Sequence, residues 1–313
     1  MAAANVRVNA REVNRVNARE VNRVNAREVS SVSARASGAP SYLPPARDDV
    51  PMVAVAHGTA HLPGLATLDA IAGRIRFLRP GLRVSLSFVS VASPTPQEVL
   101  AGLAAQGERE AVVVPMFLGS GYHVRHDIPA AVRSVEAEPL VSSMANGSAA
   151  AAGLDAVSGE GRMRVYTARP LGPDPMLAHV LTDRLAAVTG RVFGTEVVLA
   201  AAGSNDRRAT ADAVVMAGLL AERLGMPVRA AFLTAAEPSV GSVLTRLARR
   251  GRPVAVASYL LAEGGYTQRL SDVAALAGLE PEAARTPRVA GPLGSHELIA
   301  RLLLRRYDQA LFV

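Results

Sequence analysis

Six histidines and no cysteine are what this chain has for metal handling and proton transfer. Two of the histidines sit where chemistry is commonly placed. His57 closes the apolar run VAVAH and is followed at once by Gly58-Thr59. His123 lies in FLGSGYHVRHDIP, just beyond the run AVVVPMFL. Short β-branched and alanine runs bounded by glycine read as buried strands, and open parallel sheets bind ligands beyond the carboxyl ends of their strands. His57 ends the first such strand and His123 follows the third, so both are expected on one rim of one sheet. Neutral imidazole suits iron, cobalt, nickel and zinc, so the pair could share a divalent metal. Near neutral pH the same rings could accept a proton. Each histidine alone reads equally as a structural residue, and it is their matching positions that point to a site.

The other candidates carry less. His61 and His126 each neighbour one of the pair and suit a supporting or metal-delivery role. His179 and His296 fall on expected helices and read as surface residues. Asp127, before Ile128-Pro129, reads as a helix N-cap rather than a base. The glycines of GSGYH suit a tight turn, and without a Walker pattern they do not suggest a phosphate cradle. Gly58 would let a ligand approach the backbone. Absence of cysteine excludes disulfides, thiolate metal sites and iron–sulfur ligation.

The elements that must hold these residues follow from periodicity. MVAVAH, LRVSLSFVSV, EAVVVPMFL and RMRVYTARPLG read as strands. They alternate with helical patterns in LATLDAIAGRIRFL, PTPQEVLAGLAAQG (with Gly107 near its C-cap), DIPAAVRSVEAE and DPMLAHVLTDRLAAV. Near-continuous apolar strands alternating with helices predict an α/β protein with a parallel sheet covered on both faces. With 50% hydrophobic residues but 4% aromatic and no tryptophan, its core must be Val, Leu and Ala.

This order occurs twice. FVSVASPTPQEVLAGLAAQG (Phe88–Gly107) resembles FLTAAEPSVGSVLTRLARRG (Phe232–Gly251). VAVAHGTA matches VLAAAGSN (Val198–Asn205), AVVVPMFL matches VAVASYLL, and PLGPDPMLAHVLTDRL (Pro170–Leu185) matches PLGSHELIARLLLRRY (Pro292–Tyr307). The first copy is longer by about the length of an Ala/Gly/Ser-rich insertion around Leu140–Gly161. Two copies of one α/β domain, over residues 50–190 and 195–308, are therefore expected. In the second copy Ala202-Gly203-Ser204 replaces His57-Gly58-Thr59, and GGYTQRLSD replaces GYHVRHD, without histidine. The scaffold is duplicated but the candidate ligands are not, which assigns the chemistry to the first copy and a structural or substrate-covering role to the second.

Residues 1–49 form a tail that repeats NAREVNRV with a period of eight, neither a heptad nor an eleven-residue pattern. Its only repeated apolar residue is valine, too little for a core, and it reads as disordered or transiently helical. The net charge of +7 is divided, since the tail holds eight arginines against five acids. A basic balance fits nucleic acid or a polyanionic small molecule. Lack of a zinc-finger pattern, an RNA-binding aromatic signature or a basic block favours the small molecule. No apolar run approaches a membrane span or a signal peptide, so a soluble, cytoplasmic protein is expected.

At HGT (His57–Thr59), FVSVASPT and VVVPMFLGSGYHVRHDIP the chain resembles the sirohydrochlorin chelatase family, class II chelatases that insert ferrous iron or cobalt into a tetrapyrrole. The resemblance covers about residues 51–308, as two tandem chelatase-like domains. It implies that His57 and His123 are the metal-handling and catalytic pair, one of them helping remove pyrrole protons. It implies iron or cobalt as substrate rather than a resident ion, and no organic cofactor. Sirohydrochlorin carries eight carboxylates, which arginine can bind bidentately, and Arg125 beside His123 is the candidate. Many members have an acid at the end of the second strand where this chain has Ser90, so the third metal ligand is open. A duplicated chain could form within itself the contact that single-domain relatives make by dimerising, so a monomer is expected. Two alternatives are a non-catalytic tetrapyrrole or metal carrier or sensor and, less well matched, a histidine phosphatase, which would need Arg-His-Gly where Ala56 precedes His57. A Rossmann nucleotide binder lacks its glycine fingerprint.

Overall fold

The computed structural model describes residues 47–137, 162–190, 194–280, 283 and 286–312. The octad tail and the Ala/Gly/Ser-rich insertion lie outside the described residues. Two four-stranded sheets are present, parallel throughout. In the first, β1 (Met52–Ala56), β2 (Val84–Phe88), β3 (Glu110–Pro115) and β4 (Arg164–Thr167) take the order β2-β1-β3-β4. In the second, β5 (Glu196–Ala201), β6 (Val228–Phe232), β7 (Val254–Tyr259) and β8 (Arg288–Val289) take the equivalent order β6-β5-β7-β8. The α/β class and the repeat read from the sequence are both present.

Nine helices are found among the described residues. In the first copy they are α1 (Leu62–Leu78), α2 (Pro96–Ala105), α3 (Tyr122–Arg125) and α4 (Asp127–Glu136), with α5 (Pro175–Thr189) after β4. In the second they are α6 (Arg207–Leu224), α7 (Val240–Ala248) and α8 (Gly265–Ala277), with α9 (Glu297–Leu311) last. Local chemistry sets their starts. Pro96 occupies the first turn of α2, and Thr95 and Glu98 form a reciprocal capping box at 3.2 and 2.8 Å. The equivalent helix α7 is capped by Ser239, which accepts from the Ser242 amide. Gly107 follows the α2 C-cap, Gln106, with φ +85°.

Alternation along the central strands divides the core. Val53, Val55 and Val113 face α2 and α4, together with Leu100, Ile128 and Val132. Val198, Ala200 and Val256 face α7 and α8 in the same way. The opposite faces, carrying Met52, Ala54 and Val112 from one sheet and Val197 and Leu199 from the other, share one continuous core with α1, α5, α6 and α9. The two copies are therefore lobes around a common centre.

The last helix of each copy packs on the other copy. α5 lies against α6, β7 and β8, whereas α9 lies against α1, β3 and β4. Equivalent arginines lock the exchange. Arg184 of α5 donates to the Leu293 carbonyl at 2.8 Å, and Arg306 of α9 donates to the Pro170 and Leu171 carbonyls at 3.0 and 3.1 Å. Arg306 is buried, and burial pulls its guanidinium below the ordinary value while Asp174, at 2.9 Å, pulls it back. Asp174 also caps α5 through the Met176 amide and pairs with Arg305. Sequence similarity pairs each helix with its own copy and gives no sign of the exchange, because the apolar faces of α5 and α9 are alike.

The strand ends that will carry the site are shaped by a repeated close approach. Gly58 and Gly203 have φ of +92° and +91°. A Cβ on Gly58 would lie 1.9 Å from the Ser90 carbonyl oxygen, and one on Gly203 would lie 1.8 Å from that of Thr234. The space beside Gly58 is thus taken by the chain itself, not left for a ligand. Backbone bonds from the Ser90 amide to the His57 carbonyl and from the Thr234 amide to the Ala202 carbonyl, each 3.0 Å, complete both crossings.

Two stability outcomes follow. Gly203→Ala, far from either candidate histidine in sequence, should cost at least about 2 kcal/mol, lowering the thermal midpoint by roughly 5 °C or more. Asp174→Ala removes a helix cap and strands a buried guanidinium, a loss of about 3–5 kcal/mol. Its melting midpoint should fall by on the order of 10 °C, and Asp174→Asn, which keeps the cap acceptor, should fall less.

Candidate metal-handling site

β1 and β3 are neighbours in the sheet, and the connections leave them in opposite directions, so their carboxyl ends flank a topological switch point. His57 follows the last residue of β1, and its ring is exposed. His123 sits on the one-turn helix α3, half-buried, seven residues after Met116, which follows the end of β3. The expected rim is where both are found, with ring centroids 4.8 Å apart and planes at 85°.

Each ring already uses one nitrogen. His123 Nδ1 lies 2.5 Å from the Asp127 carboxylate, and His57 Nδ1 lies 3.1 Å from the Gly58 carbonyl. A carboxylate and a carbonyl only accept, so both Nδ1 atoms carry the proton in these bonds and both Nε2 atoms keep a free lone pair. An imidazole held in this way is oriented, with its other nitrogen left for a ligand.

Asp127 is the first residue of α4, whose N-cap is His126, so the expected N-cap role is corrected. Its charge still suits the first turn of a helix, but its carboxylate is spent on His123. The i, i+4 spacing within HVRHD was the signal available in the sequence. The GSGYH glycines also differ from expectation. Neither Gly119 nor Gly121 has a positive φ, and a Cβ on Gly119 would lie 3.3 Å from Asp212 of α6. The restriction there comes from the other lobe.

That lobe holds the His123 loop. Asp212 accepts from the Ser120 amide at 2.7 Å. The buried Tyr259, at the end of β7, donates to the Leu118 carbonyl at 2.8 Å. Burial first, with the Asp212 and Asp174 charges adding, keeps its phenol well above the ordinary value and so a permanent donor. Arg125 pairs with Asp206, the N-cap of α6, at 3.3 Å. None of these cross-lobe partners is legible from sequence, since each pairs residues more than 80 positions apart.

Between the lobes lies a cleft of about 830 Å³. His57, Thr59 and His123 line it from the first lobe; Ser204, Glu263 and Arg269 line it from the second, among mostly apolar neighbours. Arg125, His61, His126 and Ser90 are not among the lining residues. His126 stacks on Tyr122 at 4.5 Å, His61 is the exposed N-cap of α1, and the exposed His179 lies 3.0 Å from Arg223. His296 precedes its helix rather than lying within it, capping α9 through the Leu298 amide. No cluster of three or more His, Cys, Asp or Glu suited to a metal occurs among the described residues, nor is any helix there long and apolar enough to cross a membrane.

Two imidazoles with free Nε2 atoms on an apolar cleft can ligate a divalent ion weakly, release it to better donors and accept protons in exchange. Comparison with known proteins bears on the family and the fold. The CbiX family model matches residues 51–188 and again 196–310. A sirohydrochlorin cobaltochelatase from Methanopyrus kandleri is 28% identical over 141 residues, 45% of this chain and 98% of that protein. A sirohydrochlorin ferrochelatase from Bacillus subtilis is 26% identical over 182 residues, 57% of this chain and 61% of that protein. The solved structure of SirB from Bacillus subtilis with Fe3+ superposes with a TM-score of 0.68 at 22% identity, covering 83% of this chain and 94% of that one, a likeness of fold. The chain belongs to the CbiX family, the sirohydrochlorin chelatases, in a form that carries the domain twice.

Proposed function

We propose that this protein inserts ferrous iron or cobalt into sirohydrochlorin, for siroheme or cobalamin synthesis, in the cleft between its lobes. The observation that carries the reading is the pair His57 and His123, 4.8 Å apart, each with Nδ1 engaged and Nε2 available. Relatives named for cobalt and for iron are both similar to this chain, which supports the activity and leaves the metal as a choice between two.

Insertion exchanges two pyrrole N–H protons for one divalent cation. The metal is substrate, so it must be held loosely enough to leave. Two imidazoles meet that need better than a closed four-ligand shell would. As macrocycle nitrogens replace imidazole on the metal, the freed Nε2 lone pairs are placed to accept the departing protons. The apolar walls exclude water, which strengthens the polar contacts made inside the cleft. The second lobe acts by fixing the His123 loop and by closing one side of the cleft. The protein is proposed to do this as a monomer, its two lobes standing in for a dimer.

A carrier that binds metal and tetrapyrrole without turnover is the second reading, favoured by Ser90 and by the lack, among the described residues, of a carboxylate that joins the two histidines as a third ligand. Anaerobic absorbance of the protein with sirohydrochlorin and either Fe2+ or Co2+ separates the two. Insertion above the uncatalysed rate, reduced at least about 100-fold in His57→Ala and in His123→Ala, is the expected result. A spectral shift on binding with no acceleration would establish the carrier.

Asp127→Ala should weaken Co2+ binding by about 10–100-fold, read by anaerobic calorimetry. Because Asp127 acts through His123, adding Asp127→Ala to His123→Ala should cause no further loss. Additive losses would mean that the carboxylate contacts the metal itself.

A further inference from the structure

The two lobes present the same short motif to the cleft with different consequences. After the third strand of each copy comes a tyrosine followed three residues later by an arginine: Tyr122 and Arg125 in the first, Tyr266 and Arg269 in the second. Both tyrosines line the cleft and are 60% and 46% exposed, high values for aromatic rings and so free to meet a ligand. The arginines diverge. Arg125 is committed to Asp206 across the lobe junction, and it does not line the cleft. Arg269 lines the cleft, is exposed, and forms no ion pair among the described residues. Apart from the two histidines it is the only basic side chain among the lining residues, and Glu263 is the only acidic one.

We propose that Arg269 is the specificity-determining residue that anchors a carboxylate of the macrocycle, with Tyr122 and Tyr266 flanking the ring. This rests on the chelatase reading and names the part of the site that recognises the substrate's charge. A guanidinium binds a carboxylate through two parallel N–H donors, which fixes orientation as well as position. It belongs to the second lobe while both imidazoles belong to the first, so it would hold the macrocycle from a different wall of the cleft. Glu263, on the loop before α8, repels a second carboxylate and so limits the ring to fewer orientations. The copy that lost its histidines thus keeps a recognition role, and the arginine suggested by sequence, Arg125, has the structural counterpart that faces the substrate.

The test uses metal-free uroporphyrin, an octacarboxylate porphyrin, as probe, with binding followed by its own fluorescence. Arg269→Ala should raise Kd about tenfold or more, with the melting temperature unchanged because the side chain is exposed. Arg269→Lys should recover part of that loss, since it restores the charge without the fork. Arg301→Ala, an equal loss of charge on the outer surface of α9, should change Kd less than twofold. For a dicarboxylate porphyrin the Arg269→Ala effect should shrink. With sirohydrochlorin and metal, Arg269→Ala should raise KM more than it lowers kcat. Unchanged uroporphyrin binding in Arg269→Ala, or an equal loss in Arg301→Ala, overturns this inference and leaves the chelatase reading intact. Failure of the unmutated protein to bind uroporphyrin, together with no metal insertion, overturns both.

Discussion

Everything in this molecule depends on the reciprocal crossing of its two copies. Each copy surrenders its last helix to the other, and Arg184 and Arg306 fasten those helices to backbone carbonyls of the opposite chain segment. The result is an inner core shared by both copies, in which the inner faces of both sheets and four helices are buried together, beside a separate outer core in each copy. Separating the lobes would expose that whole surface and strand a buried guanidinium, so the lobes hold a fixed spacing.

Within that frame the site is asymmetric by subtraction. Both copies make the same strand-end crossing, with a glycine against a backbone carbonyl, and both offer a rim beyond β1 or β5. One rim carries two imidazoles and the other carries alanine and threonine in their place. The second rim supports the first through Asp212, Tyr259 and Asp206, each of which contacts the segment between Phe117 and His126. A loop that carries a candidate site residue such as His123 is normally a mobile part of a fold. Here it is bonded at three points to a different lobe, which limits how far His123 can move relative to His57.

The proposed site suits weak ligation. Hydrogen bonds to Asp127 and Gly58 leave each imidazole with one nitrogen for chemistry. Among the described residues no further carboxylate joins them as a third ligand, and the chain has no cysteine. A resident metal would call for a closed shell, whereas a metal in transit calls for a site it can leave.

Much of this was legible in the sequence because it is local or periodic. Strand and helix order, the parallel sheet, the duplication, the capping of α2 and the placement of His57 and His123 on one rim all follow from apolar runs, turn residues and the rules of parallel sheets. The single occurrence of the histidines was visible as well, by setting one copy beside the other. What only the tertiary structure decided is non-local. Two similar apolar helices can exchange partners without altering any local pattern, so the crossing is invisible to periodicity. Arg125 and Arg269 occupy equivalent places in equivalent motifs, and only the position of Asp206 commits one of them and leaves the other facing the cleft. By sequence Gly58 reads as an opening for a ligand, whereas in the fold the Ser90 carbonyl lies against it. Sequence determines which residues are available at each strand end; the packing of distant segments determines which of them remain free to act.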